Sequence, residues 1–458
     1  MTAAELEGLL TSALRRAGEE HADAYASIAH RGFARFAVGD LGQHMQIEEP
    51  FAVVRVARCT RVAEVGADAL NEEALVAAIR EAAQMAPEVP ESESFPGFTD
   101  RSEPTPLEVH RFAESTARAS AEARADALAP VFERVEKAGL VATGVLDTTR
   151  RAEAVATTGG LVRSFSSTTA TFKIWALESA GAGGASGHGM SANVDVDRLA
   201  IEQETEHAIA DALRSKDPGA LPAGKYDTVL GPLAVAELIE WLSMIGLGAR
   251  ELEQGLSPLS GRLGERISGE SLTVFEDPLS DFAFVAPFDR EGVARGQVPL
   301  IRNGVAQGVV HDRTTARRAE IHSTGSAAPP GGYGAGGPTP SSLVVQGGSA
   351  SGVEDLIAGV ERGIYVRRLH YVNGFLEPRR AVMTGLTRDG TFEIVGGRLA
   401  RPVESMRFTD SLLEAFERCD GLTLERVVVP NWWSAGGSVA APGVRIRGLA
   451  FSSGSRSR

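Results

Sequence analysis

Ala381-Val-Met-Thr-Gly-Leu-Thr387, Arg388-Asp-Gly390, Thr391-Phe-Glu-Ile-Val395, Gly396-Gly397 and Arg398-Leu-Ala-Arg-Pro-Val403 follow one another near the end of the chain. They carry the strongest fold signal of the second half. Val, Thr, Ile and Phe recur in the runs, and glycine pairs fall between them. An Asp-Gly or Asn-Gly pair supplies the positive φ that a tight hairpin turn demands. The spacing therefore predicts one hairpin across Asp389-Gly390 and another across Gly396-Gly397. Farther upstream, Asn303-Gly304 separates Val298–Arg302 from Val305–Val310 in the same way. A strand over Tyr226–Leu230 and an apolar helix near 233–248 precede these runs. Residues 221–458 are thus expected to form a β-rich, antiparallel, barrel-like domain.

Toward the N-terminus the periodicity changes. Leu6, Leu9, Leu10, Ala13, Leu14 and Ala17 repeat at helical spacing and predict a helix over 3–19. Ala24–Ile28, Phe33–Val38, Met45–Glu48 and Phe51–Arg58 suggest a strand meander. Asn71 caps a second helix whose first turn carries Glu72 and Glu73 and which ends before Pro87. Residues 87–105 read as a loop, 106–138 as a long Ala-rich helical zone, and 140–147, 152–157 and 161–178 as strands. The Gly-rich run Gly181–Gly189 interrupts, and a further helix covers about 196–214. An α+β domain over 1–220, with a mixed sheet and long helices, is the expectation. Asp217-Pro-Gly-Ala-Leu-Pro-Ala-Gly-Lys225 has the composition of a connection between domains. Ser326-Ala-Ala-Pro-Pro-Gly-Gly-Tyr-Gly-Ala-Gly-Gly-Pro-Thr-Pro340 is too rich in Gly and Pro for regular structure and reads as a mobile surface loop, with a flap that covers substrate as the sharper alternative.

The 458 residues carry 60 Asp+Glu against 46 Lys+Arg, a formal charge of -14. Such an acidic balance argues against nucleic acid as partner, since phosphate neutralisation needs a basic surface. Two cysteines, Cys59 and Cys419, exclude a disulfide scaffold and any Cys-rich zinc module. Cys59 falls in an alternating strand pattern and reads as a buried small hydrophobe; Cys419, after Phe416-Glu-Arg, also reads as structural. No apolar run approaches the ~20 residues that span a bilayer, and the start lacks a secretory pattern, so a cytoplasmic protein without a membrane partner is expected.

Several standard sites are missing. The sequence has no Walker loop, no Gly-x-Ser-x-Gly elbow, no His-Glu-x-x-His and no Cys-x-x-Cys. His311, His322 and His370, with Asp312 beside the first, would be able to hold zinc if the fold gathered them. Scattered histidines more often serve as surface or core residues.

Gly363-Ile-Tyr-Val-Arg-Arg-Leu-His-Tyr-Val-Asn373, Pro378-Arg-Arg, Thr384-Gly-Leu-Thr-Arg-Asp-Gly-Thr-Phe-Glu-Ile394 and Arg407-Phe-Thr-Asp-Ser411 come in an order that resembles the TldD/PmbA family. Thr158-Gly-Gly-Leu with Arg163-Ser, Arg214-Ser-Lys-Asp-Pro218 before Pro222-Ala-Gly-Lys-Tyr226, and Asp312-Arg-Thr-Thr-Ala316 before Ser323-Thr-Gly325 extend the resemblance over about residues 20–451. Members of that family are described as metallopeptidases or as modulators of DNA gyrase. The resemblance implies two subunit types. The TldD type carries a His-Glu-x-x-x-His helix and a distant Cys around a catalytic zinc, whereas the PmbA (TldE) type keeps the fold without them. Here the corresponding helix is Ala234-Val-Ala-Glu-Leu-Ile-Glu-Trp-Leu-Ser-Met-Ile245. Glu240 aligns with the first His, Trp241 with the catalytic Glu and Ile245 with the second His. Ser434-Ala-Gly-Gly-Ser438, where the Cys would fall, has none. The resemblance therefore implies a non-catalytic TldE-like subunit, without a cofactor of its own, paired with a zinc-bearing TldD-like paralogue around a peptide substrate. The alternative is a stand-alone enzyme that uses a non-standard site in peptide or natural-product tailoring.

Overall fold

The computed structural model describes residues 1–179, 184–329, 337–431 and 436–452. Six strands, β1 (Ala22–Ala37), β2 (Asp40–Arg58), β3 (Arg61–Gly66), β4 (Val141–Thr157), β5 (Val162–Leu177) and β6 (Ser186–Asn193), make one sheet in the order β3-β2-β1-β4-β5-β6. Every pairing in it is antiparallel, so the sheet is not mixed as expected. The fragments read as a meander fuse into the long β1–β2 hairpin, and 140–147 and 152–157 fuse into β4. Alternation carried through these gaps because cross-strand partners on both sides keep the backbone extended. Cys59 lies with Thr60 in the two-residue link between β2 and β3, at φ 55, and is exposed. The turn, not the strand alternation, sets its position, which corrects the buried placement.

Helices α1 (Ala3–Ala17), α2 (Glu72–Met85), α3 (Glu114–Ala117), α4 (Ala121–Lys137) and α5 (Ile201–Arg214) accompany this sheet. The Ala-rich zone thus breaks into an extended lead-in, the single turn α3 and α4, whose N-cap Ser120 accepts from the Ala123 amide. Asn71 caps α2 as expected, its side chain accepting from the Ala74 amide at 2.9 Å. Side chains alternate between the two sheet faces. One face is covered by helices: Leu6, Leu10, Leu75 and Ile79 of α1 and α2 bury Ala24, Val54 and Ala154 at one end. At the other end Leu128, Val131 and Val135 of α4, with Ala208 and Ala212 of α5, bury Phe36, Leu146 and Phe172. On the opposite face Tyr25, Val53 and Val155 meet Ala286 and Phe288 from the second half of the chain.

The connection after α5 is pinned rather than loose: the Gly219 amide donates to the Pro402 carbonyl and Leu221 is buried. Beyond it come β7 (Gly224–Leu230) and α6 (Pro232–Gly246), then β8 (Val274–Glu276), β9 (Val298–Arg302), β10 (Val305–Ala306), β11 (Ser342–Val345) and β12 (Arg362–Glu377). The remaining strands are β13 (Val382–Val395), β14 (Arg398–Pro402), β15 (Arg407–Ser411), β16 (Cys419–Leu422), β17 (Val427–Pro430), β18 (Ser438–Ala441) and β19 (Val444–Ser452). Strands β12, β7, β19, β15 and β13 pair in turn, and β13 pairs back onto β12, so five strands close a barrel. Only the β7–β12 contact in that ring is parallel. A second sheet runs β10-β9-β8-β11-β18-β17. Helix α6 lies in the core shared by barrel and second sheet, with apolar residues buried on most sides, as a helix hydrophobic all round must be.

Asn303-Gly304 forms the expected tight turn between β9 and β10. Asp389-Gly390 does not. β13 runs unbroken from Val382 to Val395 against β12, and the pair forms a bulge where the register shifts between Val366 and Arg368. Both residues have positive φ, 51 and 116. The Gly/Pro-rich segment 326–340 is anchored at its ends, with Ser326 and Ala327 buried and the Thr339 amide donating to the Ser326 carbonyl. Residues 330–336 of it lie outside the described residues. Among the described residues no helix is long and apolar enough to cross a membrane.

Candidate functional site

Glu240, Trp241 and Ile245 are all buried on α6. Residues 241 and 245 are four apart and share a helix face. That face rests on β12 where the strand has no side chain: a Cβ at Gly374 would lie 3.0 Å from the Trp241 ring and 3.3 Å from the Ile245 side chain. The indole also meets Phe375 edge-to-face, with centroids 5.3 Å apart at 87°. Two of the three positions aligned with the zinc motif are therefore filled by apolar side chains packed on a strand. Glu240 is the single oxygen donor among them. A tetrahedral zinc site needs three protein ligands beside its open position, so this set does not fit the metal.

The alternative histidine set is dispersed in character. His311 is buried, with its backbone amide donating to Thr324, His322 is exposed, and His370 is half-buried against the Tyr371 ring. No group of three or more His, Cys, Asp or Glu side chains with metal-binding geometry occurs among the described residues. Ser434 and Ala435 lie outside the described residues. Ser438 starts β18 and donates its hydroxyl to the Phe282 carbonyl. Cys419 is partly buried, and burial pushes its thiol up, away from a nucleophilic thiolate.

What gathers beside α6 is a polar cluster drawn from four strands. Asp389 is its hub. The bulge aims its carboxylate so that it accepts from Arg368 Nε at 2.7 Å, Trp175 Nε1 at 3.1 Å and Ser186 Oγ at 2.6 Å. Burial raises the affinity of this carboxyl for a proton, but Arg368 and the donor from Ser186 outweigh it and hold the group below its ordinary range. His188 on β6 packs edge-on to Trp175, with centroids 4.6 Å apart. Burial and the neighbouring Arg368 cation push it well below the usual imidazole value, so it is neutral at pH 7. Arg367 reaches the other way, pairing with Asp211 of α5 at 3.1 Å.

Lys173 of β5 and Glu237 of α6 complete the cluster. Burial lowers the Lys173 ammonium, with Asp147 and Glu240 attracting it. Burial raises the Glu237 carboxyl, opposed by Arg368 and Lys173. The strand sheet and α6 thus place an acid and a base, both moved toward neutrality, in one electric field. Sequence reasoning passed over Lys173, Glu237, Arg368 and Asp389. The available signals were the isolated Lys173 within the uncharged run Ser164–Leu177, and the position of Arg368 and Asp389 inside the stretches that carried the family resemblance.

The model of the PmbA/TldA metallopeptidase C-terminal domain matches residues 223–453, half of the chain. The chain belongs to the PmbA/TldD family. That matched region contains the barrel, the second sheet, α6 and the Asp389 hub. A metalloprotease of Methanothermobacter thermautotrophicus is 27% identical over 274 residues, 58% of this chain and 57% of that protein. A metalloprotease TldD homolog of Haemophilus influenzae is 24% identical over 214 residues, 46% of this chain and 44% of that protein. The matched regions thus span about half the length of these curated relatives. In fold the chain is similar to TldE of Thermococcus kodakarensis, with a TM-score of 0.85 and 18% identity, covering 96% of this chain and 98% of that one.

Proposed function

We propose that this chain is the non-catalytic, TldE-like subunit of a heterodimeric zinc metallopeptidase that degrades or trims peptides, and that it contributes part of the peptide-binding chamber. The observation that carries this reading is the packing of Trp241 and Ile245 onto Gly374, at the positions where the family's zinc motif aligns. A zinc peptidase needs metal ligands, a carboxylate that activates water, and walls that hold an extended peptide. Only the last of these is independent of the motif. Peptide backbone can be held by strand addition at a sheet edge, nearly irrespective of side chains. Lys173, Glu237 and Arg368 add polar anchors near α6. Zinc then resides in a TldD-like paralogue, and the boundary near residue 220 separates a sheet-and-helix domain from the family's peptidase-like domain.

The test is to purify this chain, a TldD-like paralogue and the co-expressed pair, and to measure zinc and peptide hydrolysis for each. The expected outcome is a stable pair that hydrolyses peptides, and a chain that by itself holds no stoichiometric zinc and hydrolyses none. About one tightly held zinc per isolated chain, with peptidase activity, would overturn the reading in favour of a stand-alone enzyme.

A further inference from the structure

The helices that cover the first sheet leave a gap. Pairs α1/α2 and α4/α5 each bury one end of the long strands, and their apolar clusters stop short of each other. Between them the sheet turns polar. His30 and Gly32 of β1, Gln46 and Glu48 of β2, and Thr148 and Arg150 of β4 are cross-strand neighbours on this face. They floor a cavity of about 340 Å³, bordered by Thr116, Ala119 and Arg124. That volume lies within the range of pockets that hold small molecules. It is on the opposite face of the sheet from Asp147 and Lys173, and so apart from the cluster beside α6.

Arg124 is the decisive residue. It is 1% exposed, yet it forms no ion pair among the described residues: Asp147 and Glu122 attract it only from beyond ion-pair distance. Its Nη1 donates to the Ala119 carbonyl and to Thr148 Oγ1, and its Nη2 to His44 Nε2, each at 2.9 Å. Nε has no protein partner among the described residues. A guanidinium has five N–H donors, so Nε–H and one hydrogen of Nη2 are left without a protein acceptor among the described residues. The backbone has made room for it. A Cβ at Gly32 would lie 2.6–2.8 Å from the guanidinium atoms. Arg150 also enters no ion pair among the described residues; the one carboxylate of the lining, Glu48, is exposed to solvent, its Oε2 3.3 Å from His30 Nδ1, and burial and Arg150 keep that imidazole from protonating. The Nε2 atom of His30 is buried without a partner. A buried cation without a counter-charge is costly unless something supplies one.

We propose that this seam binds a small anion whose phosphate or carboxylate group is held by Arg124 and Arg150. Isothermal titration of the full chain with inorganic phosphate and, separately, with succinate distinguishes the two sources of that chemistry. Saturable binding of at least one probe is expected, and the tighter probe names the group. Arg150→Gln, at an exposed position, should weaken that binding at least tenfold while leaving the melting temperature unchanged. Arg124→Gln should abolish it, and because that variant removes a buried side chain the Arg150 variant is decisive. Failure of both probes to bind at millimolar concentration would overturn the proposal, as would binding that Arg150→Gln leaves unchanged. None of these outcomes depends on peptidase activity.

Discussion

The two sides of the region around α6 are held by different physics. On one side Trp241 and Ile245 sit on Gly374 and Phe375, an apolar contact that works by shape and excluded water. On the other side Asp389 collects three directed hydrogen bonds from β5, β6 and β12. The apolar contact is local to the second half of the chain. The polar hub joins the first sheet to the barrel. Trp241 and Ile245 seal that face with hydrocarbon, whereas the buried Asp389 carboxylate, supplied with donors, keeps a junction between two parts. The difference separates the contacts that pack α6 from those that join the first sheet to the barrel beside it.

Trp241→Ala tests the sealed side and has the largest expected effect. Removing a buried indole should cost about 3–5 kcal/mol, read as a shift in the urea midpoint with an unchanged slope. A loss below about 1 kcal/mol would show that the ring is not a packing element. Asp389→Asn tests the hub. It leaves Arg368 without its carboxylate in a largely buried setting, and a loss of about 3 kcal/mol is expected at pH 7. The pH dependence follows from the depressed carboxyl. The unfolded chain takes up this proton first as pH falls, so the Asp389 contribution is complete above about pH 4 and declines below it. The stability gap between wild type and Asp389→Asn should therefore narrow in acid.

Glu237→Gln probes the boundary between the two sides. Burial raises this carboxyl in the folded chain, so its contribution is fully present below the unfolded value and is lost as pH rises through the folded one. The glutamine variant should melt slightly above wild type at pH 7 and level with it near pH 4. Lower melting at pH 7 would mean that the charged form is the one the fold needs. The smallest effect belongs to Glu240→Ala, read on the pair with a TldD-like paralogue proposed above. Activity within about twofold of the wild-type pair is expected, because one carboxylate cannot make a metal site. Abolished activity with the fold intact would give this chain a part in the chemistry.

Most helices and strand runs were legible because their signals are local. The repeat of Leu6, Leu10 and Leu14, the Asn71 cap and the turn at Asn303-Gly304 act over a few residues and appear where expected. The motif order pointed to the family, and the departures at Trp241 and Ile245 were visible as residue types alone. The cluster beside α6 was not legible. Lys173 and Glu237 are 64 residues apart, and nothing local brings β5 to α6.

Asp389-Gly390 and Asn303-Gly304 mark the limit most clearly. Both pairs reach positive φ, and by composition both are hairpin turns. Residue type alone places a bend at both pairs, because few residues other than Gly, Asn and Asp tolerate that backbone. What each bend becomes depends on which strands pair around it. Around Asn303 the two flanking strands pair with each other. Around Asp389 both flanks pair with β12, the bend becomes a bulge, and the carboxylate turns inward to Arg368, Trp175 and Ser186. Local sterics permit either outcome, and the choice rests on long-range strand pairing and on donors 21, 203 and 214 residues away in sequence.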